Sequence, residues 1–365
     1  MGMFAFGGSN SAVGVDIGNS AVKIVQLKKT PAGIDLINYG IMPLPPNAVA
    51  DGSVSDPGVV SSTIKELLKS KKIKVERSFA SISGQNVIMR FTKLPIMSPE
   101  ELEQTVRIEA EQYVPYAIDE VSITHAVLKT TDEEEDGGGK FLILLVVAQK
   151  EFVNSYTDVL SSSGVKPEMV DVDTIAAINA LENSFMQTTD SQEGGEVVAI
   201  IDCGARTTSI SILKSGVLMF TRNIPKAGND ITKRIADTLN YETDQAESVK
   251  ASEDCSVVIG DAPGNEIGEI IRPEIEDLAT EIRMSFDYFK AQSREPIIHR
   301  IILSGGSANL KNFNTFLMNE LGVEVDAANP LEGINIAAPD AGELYDNLQQ
   351  FTVAIGLALR GVVDE

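Results

Sequence analysis

The sequence predicts an α/β fold built as two similar halves that face each other across a cleft. Three observations carry this expectation. A hairpin signature occurs twice, strand-like and helix-like segments alternate along the 365 residues, and three glycine-containing turns each follow an apolar strand.

The repeat is the strongest of these. Residues 13–28 read V-G-V-D-I-G-N-S-A-V-K-I-V-Q-L-K, and residues 199–214 read A-I-I-D-C-G-A-R-T-T-S-I-S-I-L-K. They align without gaps at an offset of 186, matching Asp16 with Asp202, Gly18 with Gly204, Ile24 with Ile210, Leu27 with Leu213 and Lys28 with Lys214. Each copy reads as strand, tight turn, strand, then a turn at Gly33 or Gly216 into a third strand. A repeat of about half the chain predicts a duplicated domain rather than a solenoid.

The remaining elements follow from periodicity and caps. Asp56-Pro57 opens a helix with Val60, Ile64, Leu67 and Leu68 on one face; Ser78–Ser83 and Val87–Thr92 are strand-like. Ser98-Pro99-Glu100-Glu101 is a capping box with Pro at the first helical position, and its helix carries Leu102, Val106, Ala110 and Tyr113 before ending ahead of Pro115. Val121–Leu128 and Lys140–Ala148 are strands joined by T-D-E-E-E-D-G-G-G, a solvated hairpin tip. Glu151–Ser161 and Thr174–Asn183 are helices flanking a strand at Lys166–Val172, and the polar stretch Met186–Gly195 reads as the linker between halves. Beyond it, helices are expected at Asn229–Leu239, Asp244–Ala251, Pro273–Gln292 and Leu310–Leu321, a strand at Arg300–Leu303, and a closing apolar helix at Val353–Arg360.

Composition removes several function classes. A formal net charge of −23 repels nucleic acid and anionic lipid, so neither DNA, RNA nor direct membrane insertion is expected. Cys203 and Cys255 form no metal spacing or disulfide framework, and two histidines, His125 and His299, do not suit a zinc enzyme or a Ser-His-Asp hydrolase. No segment approaches the ~18 apolar residues of a membrane span. The first residues, M-G-M-F-A-F-G-G, lack the charged region of a secretory signal, and Phe6 stands where a myristoylation signal takes Ser or Thr. A cytoplasmic location is the expectation.

Three segments are candidates for chemistry. In Asp16-Ile17-Gly18-Asn19-Ser20, a glycine beside small polar residues lets backbone N–H groups converge on phosphate oxygens, and Lys23 on the next strand would reach a β- or γ-phosphate. The second is Asp202-Cys203-Gly204-Ala205-Arg206-Thr207-Thr208. If the halves face each other, the two loops are opposing jaws, and Asp16 and Asp202 share one cleft, where paired carboxylates hold magnesium through its waters. The third is the apolar strand entering Ser304-Gly305-Gly306-Ser307, where glycines let a flat base or ribose lie against the backbone. None is a Walker A or a G-x-G-x-x-G motif.

In that order the three segments match the phosphate-1, phosphate-2 and adenosine motifs of the actin-like ATPase superfamily, which the sequence resembles. The superfamily includes sugar kinases, heat-shock chaperones, actin and the division protein FtsA. The resemblance implies ATP and Mg2+ as ligands. It also implies an α/β, actin-like fold of two duplicated ribonuclease-H-like halves around a nucleotide cleft, with an FtsA-type inserted subdomain. Gly228-Asn229 followed by Ala246-Glu247-Ser248-Val249-Lys250 is similar to the FtsA-type pattern, in which Gly228 and Asn229 would approach phosphate and Glu247 and Lys250 the nucleoside. The helices near Ile175–Asn183 and Val353–Arg360 look like the two connecting helices. The implied domains are a first half at 1–77 and 165–190, the insert at 78–164, and a second half at 191–365.

Within the superfamily the chain is most similar to the PilM family of type IV pilus assembly proteins. E-A-E-Q-Y-V-P-Y at Glu109–Tyr116, S-G-Q-N-V-I-M-R-F at Ser83–Phe91 and the total length carry this. The similarity implies a scaffold that binds the N-terminal cytoplasmic peptide of the inner-membrane protein PilN, in a groove between the first core subdomain and the insert. Val87, Met89, Phe91, Val106, Ala110 and Tyr113 are the candidate groove residues; self-association stays open. Ala205 and Arg206 replace glycines of the FtsA loop and Ser209 an aspartate, which implies weak or no hydrolysis; Arg206 either contacts phosphate or caps the loop. The final L-R-G-V-V-D-E lacks a basic amphipathic tail, so recruitment to the inner membrane would run through a partner. Two other readings stand beside this one: a small-molecule kinase using Asp171 or Asp173 as base, residues that otherwise cap a helix start, and a filament-forming division protein.

The hairpin tip generates a test. Replacing Asp132–Gly139 by a short turn is expected to leave nucleotide affinity unchanged in calorimetry and to shift stability by no more than about 0.5 kcal/mol. A large loss of either would place the segment inside the site.

Overall fold

A computed structural model describes residues 10–363, apart from positions 51, 76, 84–86, 132–138, 187–194, 253–254, 260–264, 294–296 and 340. The acidic hairpin tip, most of the interdomain linker and the first nine residues therefore lie outside the described residues.

The first repeat folds into three antiparallel strands, β1 (Ser11–Ile17), β2 (Ala21–Thr30) and β3 (Gly33–Pro43). A short ribbon of β4 (Val49–Ala50) and β5 (Ser53–Val54) leads to helix α1 (Pro57–Ser70), where Asp56 accepts from the Val59 amide and Pro57 fills the first turn. Strand β6 (Ser78–Ile82) is followed by β7 (Val87–Pro95), α2 (Pro99–Glu111), β8 (Val121–Thr131) and β9 (Lys140–Gln149). The capping box at Ser98 is present in both directions. Then come α3 (Lys150–Ser162), β10 (Met169–Val172), α4 (Asp173–Ala180) and α5 (Glu182–Met186). The second repeat supplies β11 (Val197–Cys203), β12 (Thr208–Lys214) and β13 (Val217–Ile224), followed by α6 (Gly228–Leu239), α7 (Thr243–Lys250) and α8 (Glu266–Ser293). Strand β14 (Arg300–Ser304), α9 (Phe313–Leu321), β15 (Glu324–Ala327), β16 (Ile334–Ile336), α10 (Gly342–Asp346) and α11 (Thr352–Val363) complete the chain.

The duplication is visible in strand pairing as well as in sequence. Asp16 pairs with Lys23 and Ile17 with Val22; at the same offset Asp202 pairs with Ser209 and Cys203 with Thr208. The tight turns close with the same bond, Gly18 N to Ala21 O and Gly204 N to Thr207 O, both 3.1 Å. A register shift falls between Gln26 and Leu27 in one copy and between Ile212 and Leu213 in the other, again at that offset. The order β10-β6-β1-β2-β3 in the first main sheet is repeated as β15-β14-β11-β12-β13 in the second, and β16 adds a sixth strand to the first.

Pleat alternation sorts the side chains. Val13, Val15 and Ile17 of β1 pack with α1 and α3 on one face of the first sheet, while Ala12 faces α4 and α11 on the other. In the second sheet Ala199, Ile201 and Cys203 pack with α6, α8 and α9, while Val198 and Ile200 meet α4, α5 and the insert. The insert is a three-stranded sheet, β7-β9-β8, with α2 on one face through Leu102, Val106 and Ala110, and Phe91, Leu144 and Val146 turned to the second half.

Three expectations change. The separate sheet is narrower than the expected span 78–164: β6 lies between β1 and β10 in the main sheet, and Phe152, Tyr156 and Leu160 of α3 complete the first-half core. The stretch 191–365 is not all second half, because β16 pairs with β3 and α11 packs on the first sheet and α4. Helix α8 does not start at Pro273 but runs through it; Asn265 Oδ1 accepts from Gly268 N at 2.7 Å, and buried Ile271 holds the extra turns in place of the hydrogen bond that proline lacks.

Helix α11 approaches backbone to backbone. A Cβ on Gly356 would fall inside the Ala176 carbonyl, and one on Gly14 inside the Ala354 carbonyl. We therefore expect Gly356→Ala to destabilise the protein by roughly 2–4 kcal/mol, read as a lowered urea midpoint; an unchanged midpoint would show that this contact has slack.

Candidate functional site

The pleat that builds the cores also aims the chemistry. Asp16 shares the face of β1 that carries Ala12, and Asp202 shares the face of β11 that carries Val198 and Ile200. Both carboxylates therefore leave their strands on the inner faces, at the ends where the two tight turns begin. Asp16 is 9% exposed and takes a 3.0 Å ion pair from Lys23, its cross-strand neighbour.

Electrostatics tie the two hairpins together. Burial pushes the Asp202 carboxyl up to about 6, the facing Asp16 charge adds to the rise, and Lys23 and a hydrogen bond from Ser304 oppose it. A third carboxyl joins them. Asp173, at the start of α4, is pushed up to about 7, first by burial and then by the Asp202 charge, against the Thr174 amide that donates to its Oδ1 at 2.7 Å. Asp171 is different: its Oδ1 accepts from Val172 N, and its Oδ2 lies 3.6 Å from Arg360 Nε.

The second loop, the start of α6 and the Ser-Gly-Gly turn form one linked body around the Gly204 carbonyl, which accepts from Gly228 N and from Ser307 Oγ, each at 3.1 Å. Asn229 N donates to Ala205 O at 2.6 Å. Gly228 and Asn229 thus brace the loop with their own amides. Lys250 Nζ donates to Gly228 O, Thr232 Oγ1 and Glu247 Oε1 at 3.1, 2.8 and 2.9 Å, and Thr232 Oγ1 donates to Glu247 at 3.0 Å. Gly305, at φ 86°, turns the chain where a Cβ would meet the Cys203 carbonyl and, at 2.8 Å, Asp202 Oδ1. Ser304 Oγ lies 2.8 Å from Thr352 Oγ1 at the start of α11, and Gly305 N donates to Gln349 O just ahead of it, anchoring this turn there. Arg206 and Thr207 are half-buried, Ser20 and Gly306 are exposed.

These residues fit a magnesium-bound polyphosphate. Asn19 Oδ1 is buried with no hydrogen-bond partner, beside the first turn. Two opposed carboxylates with Lys23 between the hairpins match the way magnesium is held, by one or two carboxylates plus phosphate oxygens and retained waters. Among the described residues no three His, Cys, Asp or Glu side chains close into a metal cage, so phosphate would have to complete the coordination.

The expected groove residues separate. Val106 and Ala110, 2% and 0% exposed, are the core face of α2 and cannot line a groove. Met89 and Phe91 pack toward the second half, Val87 against the first-half core. Tyr113 is 38% exposed and donates to Glu109. A pocket of about 200 Å³ does lie beside β7, lined by residues 87–90, by Val172, Asp173 and Thr174, and by Thr221, Arg222 and Asn223 of β13. Arg90 and Asn223 were not singled out by sequence, since only the meeting of two edge strands brings them together. Asp173 was weighed only as a base or a cap.

Paired hairpin-led halves joined by two packed helices define an actin-like fold. An MreB5 of Spiroplasma citri bound to AMPPNP superposes with a TM-score of 0.54 at 11% identity, over 96% of this chain and 95% of that one, a likeness of fold alone. The cell division protein FtsA of Staphylococcus epidermidis is 24% identical over 360 residues, covering 87% of this chain and 74% of its own length. A PilM–PilN type IV pilus biogenesis complex superposes with a TM-score of 0.84 at 30% identity, over 96% of this chain and 98% of that one. The profile of type IV pilus assembly protein PilM matches residues 14–362. The chain belongs to the PilM family.

A pH dependence follows from the carboxyl groups. Asp202 and Asp173 ionise less readily in the folded protein than at their ordinary 3.8, so the unfolded chain sheds those protons first as pH rises. Stability of the metal-free protein is therefore lost between about pH 4 and pH 7. Asp173→Asn is expected to stabilise the protein in chelator at pH 7.5 by on the order of 1–3 kcal/mol, read as a raised melting temperature, with a smaller gain at pH 5.5. A gain independent of pH would rule out this origin.

Proposed function

We propose that this protein is an ATP-binding, nucleotide-switched scaffold of the type IV pilus machine. The observation that carries the reading is the convergence of Asp16 and Asp202 from register-matched hairpins. Bound Mg2+–ATP would supply positive charge between those carboxylates and a triphosphate bridging the halves. Asp16 and Asp202 would hold the hydrated metal, Asn19 would use its unsatisfied Oδ1 on one of the metal's waters, and Lys23 would neutralise phosphate. Gly18, Ser20, Gly204, Ala205, Arg206 and Thr207 would line the phosphates. Gly305, Gly306 and Ser307, with Glu247, would face the nucleoside, while Lys250, Gly228 and Asn229 position that surface. Side chains at Ala205 and Arg206 narrow the loop, which suits weak or absent turnover.

The partner would be the N-terminal cytoplasmic peptide of PilN, recruiting the chain to the inner face of the inner membrane and supporting pilus assembly and twitching motility. The likeness to a PilM–PilN complex supports this. The pocket beside β7 is the groove with room for peptide side chains, and Met89, Arg90 and Tyr113 border the insert's share of that surface. Among the described residues no helix is long and apolar enough to cross a membrane, in keeping with recruitment by a partner. Closure around nucleotide would favour one arrangement of the groove.

Calorimetry of ATP with magnesium, with and without the PilN peptide, tests both parts. Asp16→Ala and Asp202→Ala are each expected to weaken magnesium-dependent ATP binding by roughly tenfold or more; unchanged affinity would refute the assignment. Turnover stimulated by a member of a metabolite panel would instead make Asp173 a kinase base.

A further inference from the structure

The strand ends remote from the cleft carry a second pocket, of about 420 Å³, that the nucleotide reading leaves unused. Ser11, Gln26, Lys28, Ile37, Lys72 and Lys74 line it, with Asn10 at its edge. The local fold explains the gathering. The register shift pairs Gln26 with Asn38 and Leu27 with Leu36, leaving Ile37 without a cross-strand partner, as in a β-bulge. Helix α1 ends at Ser70, Lys72 takes a left-handed backbone at φ 56°, and the chain then runs past Lys74. Gln26 Nε2 donates to Ser11 Oγ at 3.2 Å and to Lys74 O at 3.3 Å, fixing the two walls.

The charge here runs against the molecule. Acidic residues outnumber basic ones 53 to 30, yet Lys28, Lys72 and Lys74 are exposed and have no ion-pair partner among the described residues. Three described carboxylates in this part of the fold make other contacts. Asp35, opposite Lys28 in the ladder, accepts from Asn335 Nδ2 at 2.9 Å; Glu343 lies 3.9 Å from Lys71, and Glu168 pairs with Arg77. Lysines after a helix end complement its dipole. That accounts for Lys72, but not for Lys28 on a strand or for Lys74 further on.

We propose that this pocket docks an acidic peptide segment of a partner protein, with carboxylates seated among Lys28, Lys72 and Lys74 and peptide backbone against Ser11 and Gln26. A recess of this volume admits a few side chains, with Ile37 as an apolar contact. A duplex or an anionic bilayer would instead bring an extended negative surface against a chain of net charge −23. The site lies away from Asp16 and Asp202 and does not depend on the nucleotide reading.

The test is fluorescence anisotropy of a labelled hexaglutamate peptide at low ionic strength. The triple variant Lys28→Gln, Lys72→Gln, Lys74→Gln is expected to weaken binding roughly tenfold, since single exposed charge contacts are weak. A control of equal charge, Lys129→Gln, Lys166→Gln, Lys233→Gln, is expected to leave it nearly unchanged. Thermal melts verify that both variants fold. Equal loss in the control would reduce the effect to net charge and overturn the proposal. So would absence of binding to the wild type, displacement of the peptide by inorganic phosphate at matched concentration, or tighter pocket-dependent binding of a DNA oligonucleotide or phosphatidylserine vesicles.

Discussion

Like charges held together at the mouth of the cleft are the constraint on which the structure turns. Asp16 and Asp202 sit at the ends of two hairpins whose strand registers are the same, and Asp173 adds a third carboxyl from the start of α4. Lys23 offsets one of these charges at 3.0 Å. The remainder is held by burial at a cost, which is why two of the three carboxyl groups keep their protons to unusually high pH. A site of this kind favours whatever brings positive charge between the halves, which would couple occupancy of the cleft to its closure.

How that coupling would spread can be read from the bonds around it. One body links Lys250, Gly228, Gly204 and Ser307, and through Ser304 it reaches Thr352 on α11. The two passages of the chain between halves are themselves tied. Arg300 Nη2 donates to Ser184 O at 2.6 Å, and Ser184 Oγ donates to Glu332 Oε2 at 2.7 Å. These bonds hold β14, α5 and the segment around Glu332 together where the chain passes between halves. The pocket beside β7 shares Asp173 with the cleft and abuts Asn223, which accepts from Ser209 Oγ at 2.9 Å, next to Asp202 in the ladder. The cleft and the pocket therefore have walls in common.

Much of this was legible in sequence because it depends on short-range rules. A fixed offset preserves the pleat, so matching Asp16 with Asp202 already put both on equivalent faces, and the capping box at Ser98 set the start of α2. What stayed hidden depends on long-range pairing. Nothing local to Ser78–Ile82 says that it joins β1 rather than the insert, or that α3 closes the first-half core. Val106 and Ala110 show the same helical stripe whether it faces a groove or a sheet, and here it faces the sheet. Pro273 reads as a helix start until burial of Ile271 is known. Asp173 enters the cleft only because β10 and α4 meet beside the second hairpin.

The return of α11 to the first half bears on how the chain is made. The face of the first sheet that holds Ala12, Val25 and Leu27 is covered by Ala354, Leu357 and Ala358, and its edge is finished by β16. During synthesis those strands emerge with that face bare, and they stay so until α11 has been made. The second sheet and its helices, by contrast, are contiguous from 197 to 327 and can fold as soon as they appear. The packing of β1 and β2 on that face is therefore completed only by residues that follow the whole second sheet.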